Sequence, residues 1–240
     1  MEACGSAHYW ARKLSELGHT VKLTAPQFVK PYVKTNKNDA RDAEGICEAV
    51  GRPSMRFVPV KTIEQQAILS LHRARQGFVV ERTAQANQLR GLLSEFGMVV
   101  PKGTRFLERR MPEVLKDTGN GLSGTSRHLF SRLFNHFSEL DRQVKELEDQ
   151  IEAWHRENAD SQRLRGIPGI GPLTATALVA SIGNASMFEN ARQLSAWLGL
   201  VPRQNSSGGK ERLLGISKRG HVYLRTLCVL SAGMREIVRT

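Results

Sequence analysis

"FSRLFNHFSELDRQVKELEDQIEAW", Phe130 to Trp154, carries apolar residues at Phe130, Leu133, Phe137, Leu140, Val144, Leu147, Ile151 and Trp154. Their spacings alternate three and four without a break. This is a heptad a/d series, and it predicts a long helix with a narrow apolar seam. The seam leaves water either by pairing with another subunit or by packing back on the helical pattern of Thr62 to Phe96. Spacing alone does not choose, although the large aromatic members favour a bundle. Residues 62–160 therefore read as a helical and coiled-coil region.

Working outward, residues 1–61 read as α/β. "AHYWARKLSELGH" has Trp10, Leu14 and Leu17 at helical spacing, with Gly18 as its C-cap. "TVKLTA", Thr20 to Ala25, alternates as a short strand, and "MRFVPV" is a second. "NDARDAEGICEAVG" reads as a helix with Asn38 or Asp39 near its N-cap. "VPKGTRFLERRMPEVLKDTGNGLSG" is broken by Pro and Gly and reads as a connector holding one short helix. On the other side, residues 161–240 form a separate helical C-terminal domain. It opens with "LRGIPGIGPLTATALVASIG", passes through a polar serine loop, and ends in "GHVYLRTLCVLSAGMREIV". The expected class is α/β plus mostly α.

Thirty-five Lys and Arg stand against 23 Asp and Glu, a formal charge of +12 and a pI near 10.1. Such a chain points to a polyanionic partner, above all nucleic acid. The excess is concentrated from Leu200 to Thr240, where eight Lys or Arg face two Glu. Glu139 to Asp160 is acidic and reads as a solvated helix face. Cys4, Cys47 and Cys228 are isolated, which points to a reducing compartment and away from structural zinc. No apolar run is long enough to span a membrane, and "MEACGSAHYW" has no signal-peptide pattern. A cytoplasmic location is expected.

Three clusters carry candidate chemistry. Asp39 and Asp42 are one turn apart at a helix start, and Glu2 lies just ahead of the first helix. Converging, these carboxylates suit Mg²⁺, which takes hard oxygen ligands. Acids at a helix N-terminus also simply favour its dipole, and the neighbouring Lys37 and Arg41 fit either reading. "GIPGIGPLTA", Gly166 to Ala175, sets a tight turn before a helix. Free N–H groups around Gly169 and Gly171 suit a backbone phosphate, as in a helix-hairpin-helix clamp. Finally, "RQNSSGGKERLLGISKRGH", Arg203 to His221, sets Ser206 and Ser207 before two glycines and among Lys210, Arg212, Lys218 and Arg219. Glycines let a phosphate approach and cations neutralise it. No general base adjoins Ser207; Glu211 and His221 are only nearby.

In this order, "MEACGSAHYWARKL", "VKTNKNDARDAEGICEA", "LRGIPGIGPLTATALVASIG" and "AWLGLVPRQNSSGGKERLLGISKRGHVYLRTLCVLSA" resemble the DEDD transposases of insertion sequences, the bridge-RNA-guided serine recombinases. The resemblance covers nearly the whole chain and is most specific from Leu164 onward. It implies a RuvC-like, RNase H-type α/β domain, a coiled coil, and a small transposase domain with a helix-hairpin-helix-like motif. It implies Mg²⁺ held by Asp, Glu, Asp and Asp, of which Glu2, Asp39 and Asp42 match three. It assigns the attacking serine to Ser207, the one before Gly, with Ser206 the weaker candidate. DNA at element ends and target, a guide RNA, and a homo-oligomeric dimer or tetramer are the implied partners. In the family, acids of one subunit act with the serine of another. The family's first Asp lies on a strand upstream of its Glu, whereas this chain starts one residue before Glu2. The resemblance thus implies an N-terminally truncated member, expected to be inactive or nearly so. Two other readings fit the residues: a non-catalytic nucleic-acid-binding module, and a RuvC-type metal-dependent junction nuclease without covalent serine chemistry.

Overall fold

The computed structural model describes residues 1–33 and 38–238, with side chains to Ser231. The elements in order are α1 (Ala7–Glu16), β1 (Leu23–Thr24), α2 (Pro26–Val29), α3 (Asp39–Val50), β2 (Phe57–Val58), α4 (Ile63–Ser94) and α5 (Thr104–Lys116). Then follow α6 (Gly124–Glu157), α7 (Ala159–Arg165), α8 (Pro172–Ile182), α9 (Ala191–Leu198), β3 (Pro202–Gln204), β4 (Leu213–Ile216) and α10 (Val222–Val238). The described chain is mostly helical, with two small antiparallel sheets. It divides into two compact units. One joins Met1–Ala67 to Leu178–Leu230; the other runs from Ile68 to Ala177 and takes in the C-terminal residues from Ser231.

In the first unit β1 pairs antiparallel with β2, Leu23 opposite Val58 and Thr24 opposite Phe57. Glu2 bridges Thr24 in parallel, so β1 lies between two neighbours. Ala7, Ala11 and Leu23 are buried together under Val21, Val58 and Val60. Both strands are shorter than their sequence patterns suggest. Pro26 opens α2 and Pro59 follows β2, and a residue without an N–H cannot extend a ladder. Asn38 caps α3: its side chain accepts from the Arg41 N–H at 2.9 Å.

The second unit is organised by α4 and α6, which run antiparallel. Arg75 meets Glu148, Arg82 meets Asp141, and Gln85 donates to the Leu133 carbonyl at 3.1 Å. The first two pairs are seven residues apart on each helix, the period of the seam. Phe130 and Phe137 are buried in one cluster with Leu89, Leu93, Leu107 and Met111 of α4 and α5. Leu140, Val144 and Ile151 are buried too. The seam is therefore covered by its own chain. Of the two options left open by spacing, packing back on its own helices is the one that buries Phe130, Phe137, Leu140, Val144 and Ile151, while Leu133, Leu147 and Trp154 remain partly exposed.

Two buried polar pairs tie α8 to α4 and α7 to α6. His72 lies 3.0 Å from the Thr176 hydroxyl, and His155 Nδ1 lies 2.7 Å from the Ser161 hydroxyl. Burial, with the nearby Arg75 charge, pushes His72 down to about 4. Burial alone would push the Asp141 carboxyl up; hydrogen bonds from Lys145 and Arg82 outweigh it and hold the group below its ordinary value. No helix among the described residues is long and apolar enough to cross a membrane.

Candidate nucleic-acid interface and serine hairpin

The serine segment is a β-hairpin. β3 and β4 pair antiparallel, Gln204 opposite Leu213, with an irregularity towards Pro202 and Ile216. The ladder resumes at the tip, where Ser207 bridges Lys210 and the Lys210 N–H donates to the Ser207 carbonyl at 3.1 Å. Gly208 and Gly209 form the two-residue turn with φ of 57° and 77°. Positive φ at both central residues is the turn that suits the right-handed twist of paired strands, and glycine enters it at no steric cost.

Register then sorts the side chains. Residues directly opposite in an antiparallel pair share a face, and the face alternates along each strand. Ser207 and Lys210 stand on one face of the tip. Continuing the register, Asn205 and Arg212 fall on that face, and Ser206 and Glu211 on the other. Asn205 N–H donates to the Arg212 carbonyl at 2.9 Å, in keeping with this pairing. Glu211, the nearest acid in sequence, thus lies away from Ser207. The two serines also differ in bonding. Ser206 Oγ accepts from the Arg212 N–H at 3.3 Å, whereas the Ser207 hydroxyl makes no hydrogen bond among the described residues. Both strands and the turn are exposed.

The hairpin's base is clamped. Gly199, at φ 74°, ends α9. Its carbonyl accepts from the Lys218 N–H at 3.1 Å, and the Val201 carbonyl accepts from the Ser217 N–H at 2.8 Å. Gly220 lies so close that a Cβ there would stand 2.2 Å from the Trp197 carbonyl oxygen and 2.7 Å from the Gly199 nitrogen. Lys218 itself takes φ 56°, the left-handed region that a non-glycine residue enters at a cost of about 1 kcal/mol. This contact turns the chain sharply before α10, whose Leu224 N–H donates to His221 Nδ1 at 3.3 Å. Lys218 and Arg219 are exposed there.

The Gly-Pro segment forms the turn between α7 and α8. Gly169 has φ 90°, Gly171 precedes Pro172 at the first position of α8, and a Cβ at Gly171 would meet nothing. Asn158 caps α7 through the Ser161 N–H at 2.9 Å. The glycines leave the α8 start open to a close approach, as a phosphate contact requires.

The acids are not assembled. Asp39 and Asp42 sit in the first turn of α3, and Glu2 beside Thr24. Among the described residues no group of three or more His, Cys, Asp or Glu stands close enough to hold a metal ion. Lys37 lies outside the described residues.

Two features escaped sequence reading. The hairpin was signalled by Gly208-Gly209 between β-compatible residues, a turn pattern read there as an open loop. The other is a cleft in the first unit, about 1460 Å³, lined by residues from Ala25 to His221 and including Lys218 and Arg219. Nothing in linear order marks it.

A basic, exposed hairpin whose Ser207 hydroxyl makes no hydrogen bond among the described residues is an arrangement that suits an anionic partner. Comparison with known proteins makes this specific. Residues 161–239 match the family described as "Transposase IS116/IS110/IS902 family", and residues 1–98 match the DEDD Tnp IS110 family, described as a transposase. The chain is 53% identical to a "Probable family 20 transposase" of Pseudomonas aeruginosa over 240 residues, all of this chain and 70% of that protein. It is 45% identical to the "Transposase for insertion sequence element IS1111A" of Coxiella burnetii over 239 residues, covering 100% of this chain and 65% of the relative. It is 45% identical to the "Transposase for insertion sequence element IS1328" of Yersinia enterocolitica over 234 residues, 97% and 69% of the two chains. The chain belongs to the IS116/IS110/IS902 family of insertion-sequence transposases, and it spans about two thirds of the length of these relatives.

Proposed function

We propose that this chain serves DNA transposition through covalent serine chemistry at Ser207. The observation that carries the reading is the hairpin tip: an exposed hydroxyl without a partner among the described residues, directly across the ladder from a lysine. In the step, Ser207 Oγ forms a bond to a DNA phosphorus and one bridging P–O bond breaks. The hydroxyl proton passes to a base and the leaving oxygen takes up a proton. Lys210, on the same face, offsets charge building on the phosphate oxygens, and Arg212 follows one pair further down. Glu211 faces away, so the base comes from elsewhere in the assembly, consistent with acids and serine acting from different subunits.

The remaining parts of the reading follow the family. Residues 1–61 correspond to part of a RuvC-like domain, 62–160 to the helical connection, and 161–240 to the transposase domain. DNA ends and target, a guide RNA, a second subunit and Mg²⁺ are the partners this family reading names. Glu2, Asp39 and Asp42 do not gather into a three-donor site here, so no step is routed through a metal.

The test is to incubate the protein with the DNA ends of its element and resolve the products on a denaturing gel. A covalent protein–DNA species, with the DNA on the tryptic peptide containing Ser207, is expected from a form of the protein that carries the family's full acid set. Ser207→Ala should remove it and leave DNA binding intact. An adduct that survives Ser207→Ala, or cutting without any adduct, overturns the serine assignment.

A further inference from the structure

The cleft of the first unit is larger than the roughly 300–1,000 Å³ of small-molecule sites, so its dimensions suit a length of polymer. Its wall mixes two chemistries. Arg56, Arg203, Lys218 and Arg219 line it, and Glu189 is the one carboxylate among the described lining residues. Aromatic and apolar groups line it as well. Phe28 is 42% exposed and Leu214 37% exposed, in a place where apolar side chains gain nothing from water. Trp197 joins them, half-buried, its ring backed by Phe188 at 5.7 Å and by His221 at 6.3 Å.

Phosphates account for the cations but not for the aromatic faces. A duplex keeps its bases stacked inside and shows a protein wall mainly sugar and phosphate. Unpaired bases expose their π-faces and stack on aromatic side chains, while the backbone tracks positive charge. We propose that this cleft seats an unpaired polynucleotide segment, with bases on Trp197 and Phe28 and phosphates at Arg203, Lys218 and Arg219. The inference rests on the nucleic-acid reading above and adds the strand state: single, not double.

The Gly199–Gly220 contact makes the platform rigid. The Trp197 carbonyl lies against the Gly220 backbone, two residues from Lys218, so the backbones carrying the ring and the cation are held close together. A preorganised wall of this kind loses little side-chain freedom on binding.

Binding is measured by fluorescence anisotropy with labelled oligo(dT), oligo(U) and a mixed-sequence DNA duplex of equal length. Wild type, Trp197→Ala, Trp197→Phe and Phe28→Ala are compared. Each alanine variant should weaken single-strand binding on the order of 10-fold and change duplex binding less than about twofold. Trp197→Phe should retain most of the affinity, since it keeps an aromatic face. The tighter of oligo(dT) and oligo(U) identifies DNA or RNA as the source of the strand. Phe28 is exposed, so its variant carries the test should Trp197→Ala fail to fold. Equal losses on duplex and single strand, or no loss on either, overturn the proposal while leaving the transposase reading intact. Failure of wild type to bind any of the three overturns both. Trp197-dependent single-strand binding supports this proposal whether or not a Ser207 adduct forms.

Discussion

Ser207 and Lys210 face each other across the Gly208–Gly209 turn, joined by an N–H···O bond of 3.1 Å between Lys210 nitrogen and Ser207 oxygen. Their side chains share one face, so on the proposed reading a phosphate met by the hydroxyl would also lie on the ammonium's side. Lys210→Glu places a negative charge opposite the nucleophile without disturbing the turn. Adduct formation, read on a denaturing gel, should fall about 100-fold or more, the scale of losing one charge-stabilising contact in a reacting centre. Ser206→Ala, on the other face, should cost less than about tenfold.

Gly220→Ala should destabilise the first unit strongly. Its Cβ would lie 2.2 Å from a backbone oxygen, which cannot swing aside as a side chain can. A loss of about 3 kcal/mol or more is expected in urea unfolding followed by circular dichroism, the scale of severe overpacking and backbone strain. Gly215→Ala, in open space on β4, is the control and should change stability by less than about 0.5 kcal/mol.

Acid should weaken the second unit through His72. The folded state holds this imidazole neutral, with its proton affinity lowered to about 4, against an unfolded value near 6.5. Unfolded chains bind the proton first as pH drops. Stability is therefore complete above about 6.5 and declines as pH falls towards 4, by an amount on the order of 3 kcal/mol. His72→Gln should flatten urea midpoints measured across that window. An unchanged slope in the variant would count against burial as the cause.

Leu140→Asp should unfold the helical region rather than split an oligomer. Leu140 is buried within its own chain beside the Arg82–Asp141–Lys145 group. A carboxylate there would be taken out of water, which is strongly unfavourable. Loss of helical signal at all protein concentrations is expected; an intact helix with a halved mass in light scattering refutes it.

Duplex binding should be steeply salt-dependent. Each neutralised phosphate contributes about −0.9 to the slope of log affinity against log salt. Changing Lys210, Arg212, Lys218 and Arg219 together to Ala should therefore make the slope shallower by about 3 to 4. A slope that does not move places the phosphate contacts elsewhere.

Local features were legible in the sequence where one residue type answers one local need. Asn38 as the α3 cap, the long α6 helix, the short α5 within its connector and the turn before α8 all follow from neighbours in the chain. What covers the α6 seam was not legible, because a heptad looks the same whether its partner is another subunit or α4. The hairpin was missed because serine and glycine also write flexible loops. The cleft was hidden for a different reason: Phe28 and Trp197 are 169 positions apart and meet a common wall only after folding. The acids show the reverse limit. DxxD predicts a shared helix face, which α3 provides, but spacing carries no information on whether Glu2 comes near it.

The first unit takes its residues from both sides of a long interruption, Met1–Ala67 and then Leu178–Leu230. This sets an order of events at the ribosome. The N-terminal segment emerges first, with only its own part of the cleft wall and with no serine hairpin and no Gly220 to pack with. The helical stretch from Ile68 to Ala177 can mature meanwhile, since α4, α5 and α6 bury one another. At about 5–20 residues per second, the early segment waits on the order of ten seconds for its complement. Bringing the halves together closes a loop of roughly 110 residues, an entropic cost of about 4 kcal/mol that a folded helical region largely removes by holding the ends in place. The serine hairpin is thus completed only after the helical region, and a nascent chain released early carries the helices without it.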